Sequence, residues 1–293
     1  MFRLLIIDGH AYAYRAFYAI RELKSPSGRP TNAIYGFIKM LSKVRAGLQP
    51  THVIVVWDGG LSPERMAALP DYKAHRPEMP ADLESQIEAI TEYLNAAGIA
   101  SFCRACVEAD DYVACLTRHA AAADMEVVIA SSDKDFMQLV ASGVSLLNPG
   151  DKTETLWSAE QVRNKTGVVP EQIVDWLSLI GDSVDNIPGV PGVGPKTAAD
   201  LLNRFGSLDE LYERLAEVKS DKLRASLQAA EKVARRNRGL IRLKSDLACE
   251  FSPHKLAERA PDLLRLRELF ARWGFKSMLA ELGRMEPQRE CLL

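Results

Sequence analysis

The sequence has no long apolar run. The two longest, LLII near residue 4 and VIVVW near residue 53, are strand-sized, far below the ~18 residues that span a bilayer. Asp8 interrupts the first run too early for a signal peptide. Cysteine is scarce: five in 293 residues, an odd number. Cys103 and Cys106 make one CxxC without the second pair that a zinc site needs, and outside the strand-then-helix setting of a redox motif. The expectation is reduced thiols in a cytoplasmic protein with no membrane association. Internal repeats and low-complexity stretches are also missing. With 47% hydrophobic and 26% charged residues, a disordered chain, a collagen-like fibre and a disulfide-stapled miniprotein are excluded. At ~150 residues per domain the length suggests one large domain or two modest ones.

Net charge is nearly absent as well, at −2 from 37 Lys+Arg and 39 Asp+Glu. The balance is uneven, however. Nine acids group by position: Asp8, Asp58, Glu108, Asp110, Asp111, Asp133, Asp135, Asp182 and Asp185. Setting these nine aside leaves 30 acids against 37 bases, a body of +7. Residues 212–246 alone hold ten Lys/Arg and five Asp/Glu. An acidic pocket on a basic body suits an enzyme that binds metal ions and a polyanion together.

The first half alternates strands and helices. Strands are expected at 4–7, 53–57, 126–130 and 144–147. Helices are expected on the stripe Ile34, Phe37, Ile38, Leu41, Val44 and Leu48, capped by Thr31 or Asn32; on Ile87, Ile90, Tyr93 and Leu94 after Pro80; and over 109–123. Such alternation implies right-handed crossovers and a mainly parallel sheet flanked by helices, an α/β fold. Tyr12, Tyr14, Phe17 and Tyr18 follow helical spacing and are read mostly as core, with one of them able to stack on an unpaired base. Near residue 170 the pattern becomes all helical, with short helices at 171–180, 197–205, 208–215 and 222–236. The boundary is placed between 1–168 and 169–293. Residues 59–80 fit neither pattern. They show little periodicity, hold four prolines and carry Lys73 and Arg76, and a loop of ~20 residues in a compact domain is more often functional than idle.

Asp8, Asp58 and the Asp133/Asp135 pair each follow an expected strand, at the carboxyl edge where open α/β sheets bind ligands. Glu108, Asp110 and Asp111 open a helix, and the i, i+3 spacing puts Glu108 and Asp111 on one face. Asp182 and Asp185 repeat that spacing. One such acid is more often a cap or turn former. Seven on adjoining strand ends and a helix start would repel one another without cations. The set is all oxygen, with no coherent His or Cys partner, which points to Mg²⁺ or Mn²⁺. Two such ions about 4 Å apart polarise a phosphodiester, activate water and stabilise the leaving oxygen.

The turn over 189–197 fails as a P-loop because Pro195 separates Gly194 from Lys196. It reads instead as a helix–hairpin–helix turn. Gly192, Val193 and Gly194 bring backbone close, Pro195 starts a helix, and Lys196 and Thr197 sit in its first turn, facing a DNA phosphate. A plain interhelical turn is the ordinary alternative. Lys73 and Arg76, one helical turn apart, are placed to hold a scissile phosphate, or else lie on a solvated loop.

The blocks LLIIDGHAYAYRAF, PTNAIYGF, DYKAHRPEMP, EADD, SSDKDF, GDSVDNIPGVPGVGPKTA and FGSLDEL resemble, in order, the 5′ nuclease domain of bacterial DNA polymerase I, within the flap endonuclease family. The likeness runs over residues 3–215 and more weakly to the end. It implies a PIN-like nuclease core with a helical arch at about 59–80. It also implies a helical helix–three-turn–helix region that often holds K⁺ through backbone oxygens. By resemblance, Asp8, Asp58, Glu108, Asp110, Asp111, Asp133 and Asp135 take metal-binding positions, and Asp182 and Asp185 complete a second site. Lys73 and Arg76 take the arch-base positions that engage the scissile phosphate, and Arg15 a phosphate-contacting position nearby. Trp57 stands where Phe is usual, SSDKDF replaces the commoner TGDKDL, and 62–71 matches the arch only loosely.

The implied activity is structure-specific 5′-3′ exonuclease and flap endonuclease cleavage, leaving 5′-phosphate and 3′-hydroxyl ends. The implied substrates are DNA with a 5′ flap or free 5′ end and RNA-primed DNA, in replication and repair. A monomer acting beside a DNA polymerase is expected, either free-standing or as a domain of a longer chain. Two rivals are a DNA-junction binding protein with an inactive metal site, and a DxD phosphotransferase using Asp133 as nucleophile. The second lacks the usual Thr after the pair and leaves Asp182 and Asp185 unexplained.

Overall fold

The computed structural model describes residues 2–150, 155–249 and 251–285, so the extreme ends of the two expected domains lie outside the described residues. The chain opens with β1 (Arg3–Asp8), α1 (Gly9–Ala19), α2 (Asn32–Leu48), β2 (His52–Val56), α3 (Pro63–Ala68), α4 (Ala81–Ala96) and β3 (Ala100–Phe102). It continues through α5 (Ala109–Ala122), β4 (Glu126–Ala130), β5 (Val144–Leu147), β6 (Leu156–Trp157), α6 (Ala159–Thr166), α7 (Ile173–Ile180), β7 (Gly181–Asp182) and β8 (Ile187–Pro188). It ends with α8 (Pro195–Phe205), α9 (Leu208–Glu213), α10 (Asp221–Ile241), α11 (Pro253–Leu256), α12 (Leu263–Trp273) and α13 (Lys276–Met285). The fold is mixed α/β, with mostly parallel strands flanked by helices. By compactness the chain divides into one unit of Phe2–Val56, Met79–Phe102 and Ser252–Leu293, and another that includes Trp57–Glu78 and Cys103–Phe251.

In the first of these units β1 pairs in parallel with β2 (Leu5 opposite Val53), and β2 with β3 (Ile54 opposite Ala100). Leu4, Leu5, Ile6 and Ile7 are fully buried. A parallel strand covered on both faces reads as an unbroken apolar run, and this is why LLII was recognisable. Tyr12 of α1 meets Phe37 of α2 edge-on at 6.1 Å. A Cβ on Gly36 would lie 2.8 Å from the Ala16 Cβ, so glycine permits the close approach of these helices. Thr31 does stand at the start of α2, but its hydroxyl makes no capping bond. Gln86 of α4 does that work, its Oε1 accepting from Ala33 N at 2.8 Å and Ile34 N at 3.3 Å. The N-terminal aromatics depart from expectation. Only Tyr12 is fully buried, and Tyr18 is 67% exposed, stacked on Tyr14.

In the other unit β4 and β5 pair in parallel and β5 and β6 antiparallel. Residues 59–80 are not all loop. Ser62 caps α3 and Pro63 takes its first position, although six residues are too few to show periodicity. The 169–293 region is not all helical either. After α7, Gly181 pairs with Pro188 and Asp182 with Ile187 in a two-residue antiparallel ladder. Glycine is required there, because a Cβ on Gly189 would lie 2.2 Å from the Ile180 carbonyl oxygen. α10 extends to Ile241, beyond the expected 236. Its fully buried Asn237 donates to Ser178 O at 3.1 Å and Pro188 O at 2.7 Å, fastening α7 and the ladder to the helix.

Candidate active site

Asp133 follows β4, and its Oδ1 accepts from Asp135 N at 2.9 Å, which turns the chain into a short 3₁₀ helix over Lys134–Leu139. Asp182 closes the ladder strand β7 and accepts from Val184 N at 2.9 Å, leaving Asp185 three residues on. Asp135, Asp182 and Asp185 each offer an oxygen within 4.8 Å of the others. One Asp135 oxygen is buried with no hydrogen-bond partner. Burial, followed by the Asp133, Asp182 and Asp185 charges, pushes the Asp135 carboxyl well above the usual carboxylate range. Burial and the Asp185 and Asp182 charges push Asp133 up as well. A buried orphan oxygen inside a group of mutually repelling carboxylates fits a divalent cation with oxygen ligands.

The remaining acids connect through protein cations. Glu108 and Asp111, at the start of α5, flank the buried Arg65 of α3. The guanidinium donates to both Asp111 oxygens at 2.7 Å and lies 3.1 Å from Glu108 Oε1. Lys73, only 6% exposed, places Nζ 2.5 Å from Glu108 Oε2. Burial pulls the Lys73 ammonium down, but the Glu108, Asp110 and Asp185 charges outweigh it and hold it above the ordinary lysine value. Burial pushes Glu108 up, and Lys73 and Arg65 outweigh that and keep it low. Arg76 donates to Asp185 Oδ1 through Nη2 at 2.5 Å, and Lys134 lies 3.2 Å from Asp182. The Tyr72 hydroxyl donates to Glu108 Oε2 at 3.1 Å. Lys73 is held with φ +58°, a left-handed conformation that lysine seldom adopts. Its backbone N–H is bonded to Asp185 O at 3.0 Å.

Seven of the nine acids therefore join one network: Glu108, Asp110, Asp111, Asp133, Asp135, Asp182 and Asp185. The expected repulsion is partly cancelled by Arg65, Lys73, Arg76 and Lys134, so external cations are not its only remedy. Asp58 accepts from Gly60 N at 2.7 Å in its own turn. Asp8, in the other unit, ends β1 and caps α1 by accepting from Ala11 N. Arg15 is exposed on α1. Sequence reasoning missed Arg65, Tyr72 and Lys134. Tyr72 and Lys134 lie beside marked residues, whereas Arg65 carries no signal because its acids are 43 and 46 residues away.

In the 189–197 turn Gly192 has φ +79° with open space where a Cβ would be, and Gly194 precedes α8 with Pro195 at the first helical position. Lys196 is exposed and Thr197 half-buried. The Val193 side chain is buried, so only its backbone can face a ligand. Several of the ten cations in 212–246 are spent internally. Arg214 pairs with Glu217, Arg224 with Asp221, and Arg235 and Arg238 with Asp209.

Residues 3–167 match the model of the 5′-3′ exonuclease N-terminal resolvase-like domain, and residues 168–263 that of the 5′-3′ exonuclease C-terminal SAM fold. The chain belongs to the 5′-3′ exonuclease family. It is 36% identical over 285 residues to a 5′-3′ exonuclease of Aquifex aeolicus, covering 97% of this chain and 96% of that one. It is 38% identical over 288 residues to DNA polymerase I of Pseudomonas aeruginosa, covering 96% of this chain but only 31% of the polymerase. This family member thus spans about a third of its DNA polymerase I relatives. In fold it is similar to a T5 5′-exonuclease with zinc bound (22% identity, 97% of each chain, TM-score 0.69). It is also similar to the catalytic core of Rad2 in complex with a DNA substrate (17% identity, 96% of this chain and 91% of that, TM-score 0.66). Among the described residues no helix is long and apolar enough to cross a membrane, and Cys103, Cys106, Cys115 and Cys249 are free thiols.

Proposed function

We propose that this exonuclease-family chain is a structure-specific 5′ nuclease dependent on Mg²⁺, with Mn²⁺ able to substitute. It acts on DNA with a 5′ flap or free 5′ end and on RNA-primed DNA, during replication and repair in the cytoplasm, as a monomer beside a DNA polymerase. The observation that carries the reading is the orphaned, buried Asp135 oxygen among Asp182 and Asp185. Asp8, Asp58, Glu108, Asp110, Asp133 and Asp135 would hold one part of the divalent-ion set, with Asp111 beside them, and Asp182 and Asp185 the rest. Bound there, the ions supply Lewis acidity toward a phosphodiester.

The chain's own residues do the remaining work. Lys73 and Arg76 grip the scissile phosphate and stabilise charge as it develops on the phosphate oxygens. The turn Gly192–Val193–Gly194 and the first turn of α8, with Lys196 and Thr197, hold the duplex backbone, and the turn's carbonyls can accept K⁺. Arg15 contacts a neighbouring phosphate. Residues 59–80 cover the free 5′ strand. Water adds to phosphorus, the bond to the 3′ oxygen breaks and that oxygen takes a proton, leaving 5′-phosphate and 3′-hydroxyl.

A 5′-labelled flap duplex incubated with Mg²⁺ tests this, with EDTA and Asp133→Ala as controls. The expected result is one short labelled product set by the junction and absent in both controls. Tight junction-selective binding without cleavage would instead support the inactive binding protein. Turnover of small phosphate esters would support the phosphotransferase.

A further inference from the structure

Arg65 is one of the few charged residues buried to 4% exposure, and every arm of its guanidinium is used. Nη1 and Nη2 form a fork on Asp111 at 2.7 Å each, and Nη1 also reaches Glu108 Oε1 at 3.1 Å. Nε donates to Leu240 O at 2.8 Å and Nη2 to Arg242 O at 3.3 Å, the carbonyls that end α10. Asp111 is as fully occupied, because Oδ1 also accepts from Lys244 N at 2.9 Å. Both its oxygens are bound by the guanidinium, in contrast with the orphaned Asp135 oxygen. Glu108 Oε1 also accepts from Ser62 N at 3.0 Å, and Oε2 is the oxygen that Lys73 and Tyr72 hold.

We propose that Arg65 is a positioning residue that orients Glu108 toward the divalent-ion site, and that Asp111 acts through Arg65 rather than on an ion. The proposal rests on the metal-dependent reading given above and adds to it a bracket that joins three elements. α3 supplies the guanidinium, the start of α5 supplies the two carboxylates, and the end of α10 supplies the two carbonyls. Asp111 fixes the fork, the carbonyls fix its plane, and the guanidinium charge, 3.1 Å from Glu108 Oε1, holds that oxygen together with the Ser62 N–H, while Lys73 holds the other. A planar, always-charged fork can serve two carboxylates and two carbonyls at once, and a lysine ammonium cannot. Groups that orient a metal ligand typically govern 10–100-fold in metal affinity.

The test compares the wild type with R65K, R65Q, D111N and the double variant R65Q/D111N. The readouts are Mn²⁺ binding by electron paramagnetic resonance without DNA, melting by circular dichroism, and the Mg²⁺ requirement for flap cleavage. R65Q is expected to bind Mn²⁺ about tenfold more weakly and to need correspondingly more Mg²⁺. R65K is expected to lie between R65Q and wild type, and D111N to shift in the same direction. The double variant is expected to be no weaker than R65Q, because one bracket can be broken only once. Wild-type Mn²⁺ binding in folded R65Q overturns the proposal. Independent, multiplying losses in the double variant overturn it too, since they would put Asp111 on the ion. If R65Q does not fold, R65K decides, as it removes neither a ligand nor a charge, and a wild-type Mn²⁺ isotherm in R65K sinks the bracket. A wild-type protein that neither binds Mn²⁺ nor cleaves would be a failure of the metal-dependent reading, visible before any variant is made.

Discussion

Asp135 is costly to the metal-free protein. Burial, then the charges of Asp133, Asp182 and Asp185, raise its carboxyl well above the ordinary value. The folded state therefore binds that proton more tightly than the unfolded chain does. Without divalent ions, stability rises as pH falls through the raised pKa and is lost as pH climbs past it. Asp135→Asn removes the charge and keeps the shape. In EDTA at pH 8 it is expected to raise the melting temperature by about 2–4 °C, the shift that ~1 kcal/mol gives in a chain of this order, and to flatten the pH dependence. Calorimetry in EDTA checks this, and a lower melting point in the variant contradicts it. Cys115 offers a second residue-scale check. Burial and the neighbouring Cys249 push its thiol up to about 12, so it is expected to escape alkylation at pH 8 while exposed Cys103 and Cys106 are labelled, as mass spectrometry would show. The acids were legible in the sequence because a carboxylate after a strand or at a helix start has few uses, and a set of them has fewer. Arg65 was not legible, since a lone arginine in a proline-rich stretch gains meaning only from acids 43 and 46 positions away.

At the scale of elements, the ladder β7–β8 presents Asp182 and Asp185, and two features hold it. A Cβ at Gly189 would collide with the Ile180 carbonyl, so Gly189→Ala is expected to displace the ladder. The expected outcome is a lower melting temperature together with weaker Mn²⁺ binding, whereas an effect on stability alone would show that the acids keep their places. Asn237→Ala strips hydrogen bonds from the buried Ser178 carbonyl and the part-buried Pro188 carbonyl and is expected to cost about 2 kcal/mol, read by urea unfolding. Long amphipathic helices such as α2, α4 and α10 and the buried strands were readable from periodicity. The short elements were not, for physical reasons. A two-residue ladder and a six-residue helix are too brief for either period to repeat. α6 did carry a signal in Ser158–Gln161, a capping box present in the structure, that periodicity alone does not weigh. The Thr31 cap failed because Gln86, 53 residues from the amide it serves, satisfies the helix first.

For the molecule as a whole, net charge is a poor guide to polyanion binding. A body of +7 is offset by clustered acids, while Arg214, Arg224, Arg235 and Arg238 are held by neighbouring carboxylates. The salt dependence of DNA affinity is therefore expected to be shallower than ten cations would give. Lys196→Ala is expected to reduce the magnitude of the log–log slope by about 0.9, measured by fluorescence anisotropy between 50 and 200 mM salt. A slope unchanged by that variant would remove Lys196 from the interface. The ion pairs of Arg76 with Asp185 and Lys73 with Glu108 have a further consequence. On the proposed metal-dependent reading, each of these cations stands where a metal ion would sit, and each acid where a phosphate would. A divalent ion at Asp185 would then release Arg76 for DNA, and DNA that captured Arg76 would leave Asp185 to the ion. The two ligands are thus expected to be heterotropic activators of one another, with the factor by which Ca²⁺ tightens DNA equal to the factor by which DNA tightens Ca²⁺.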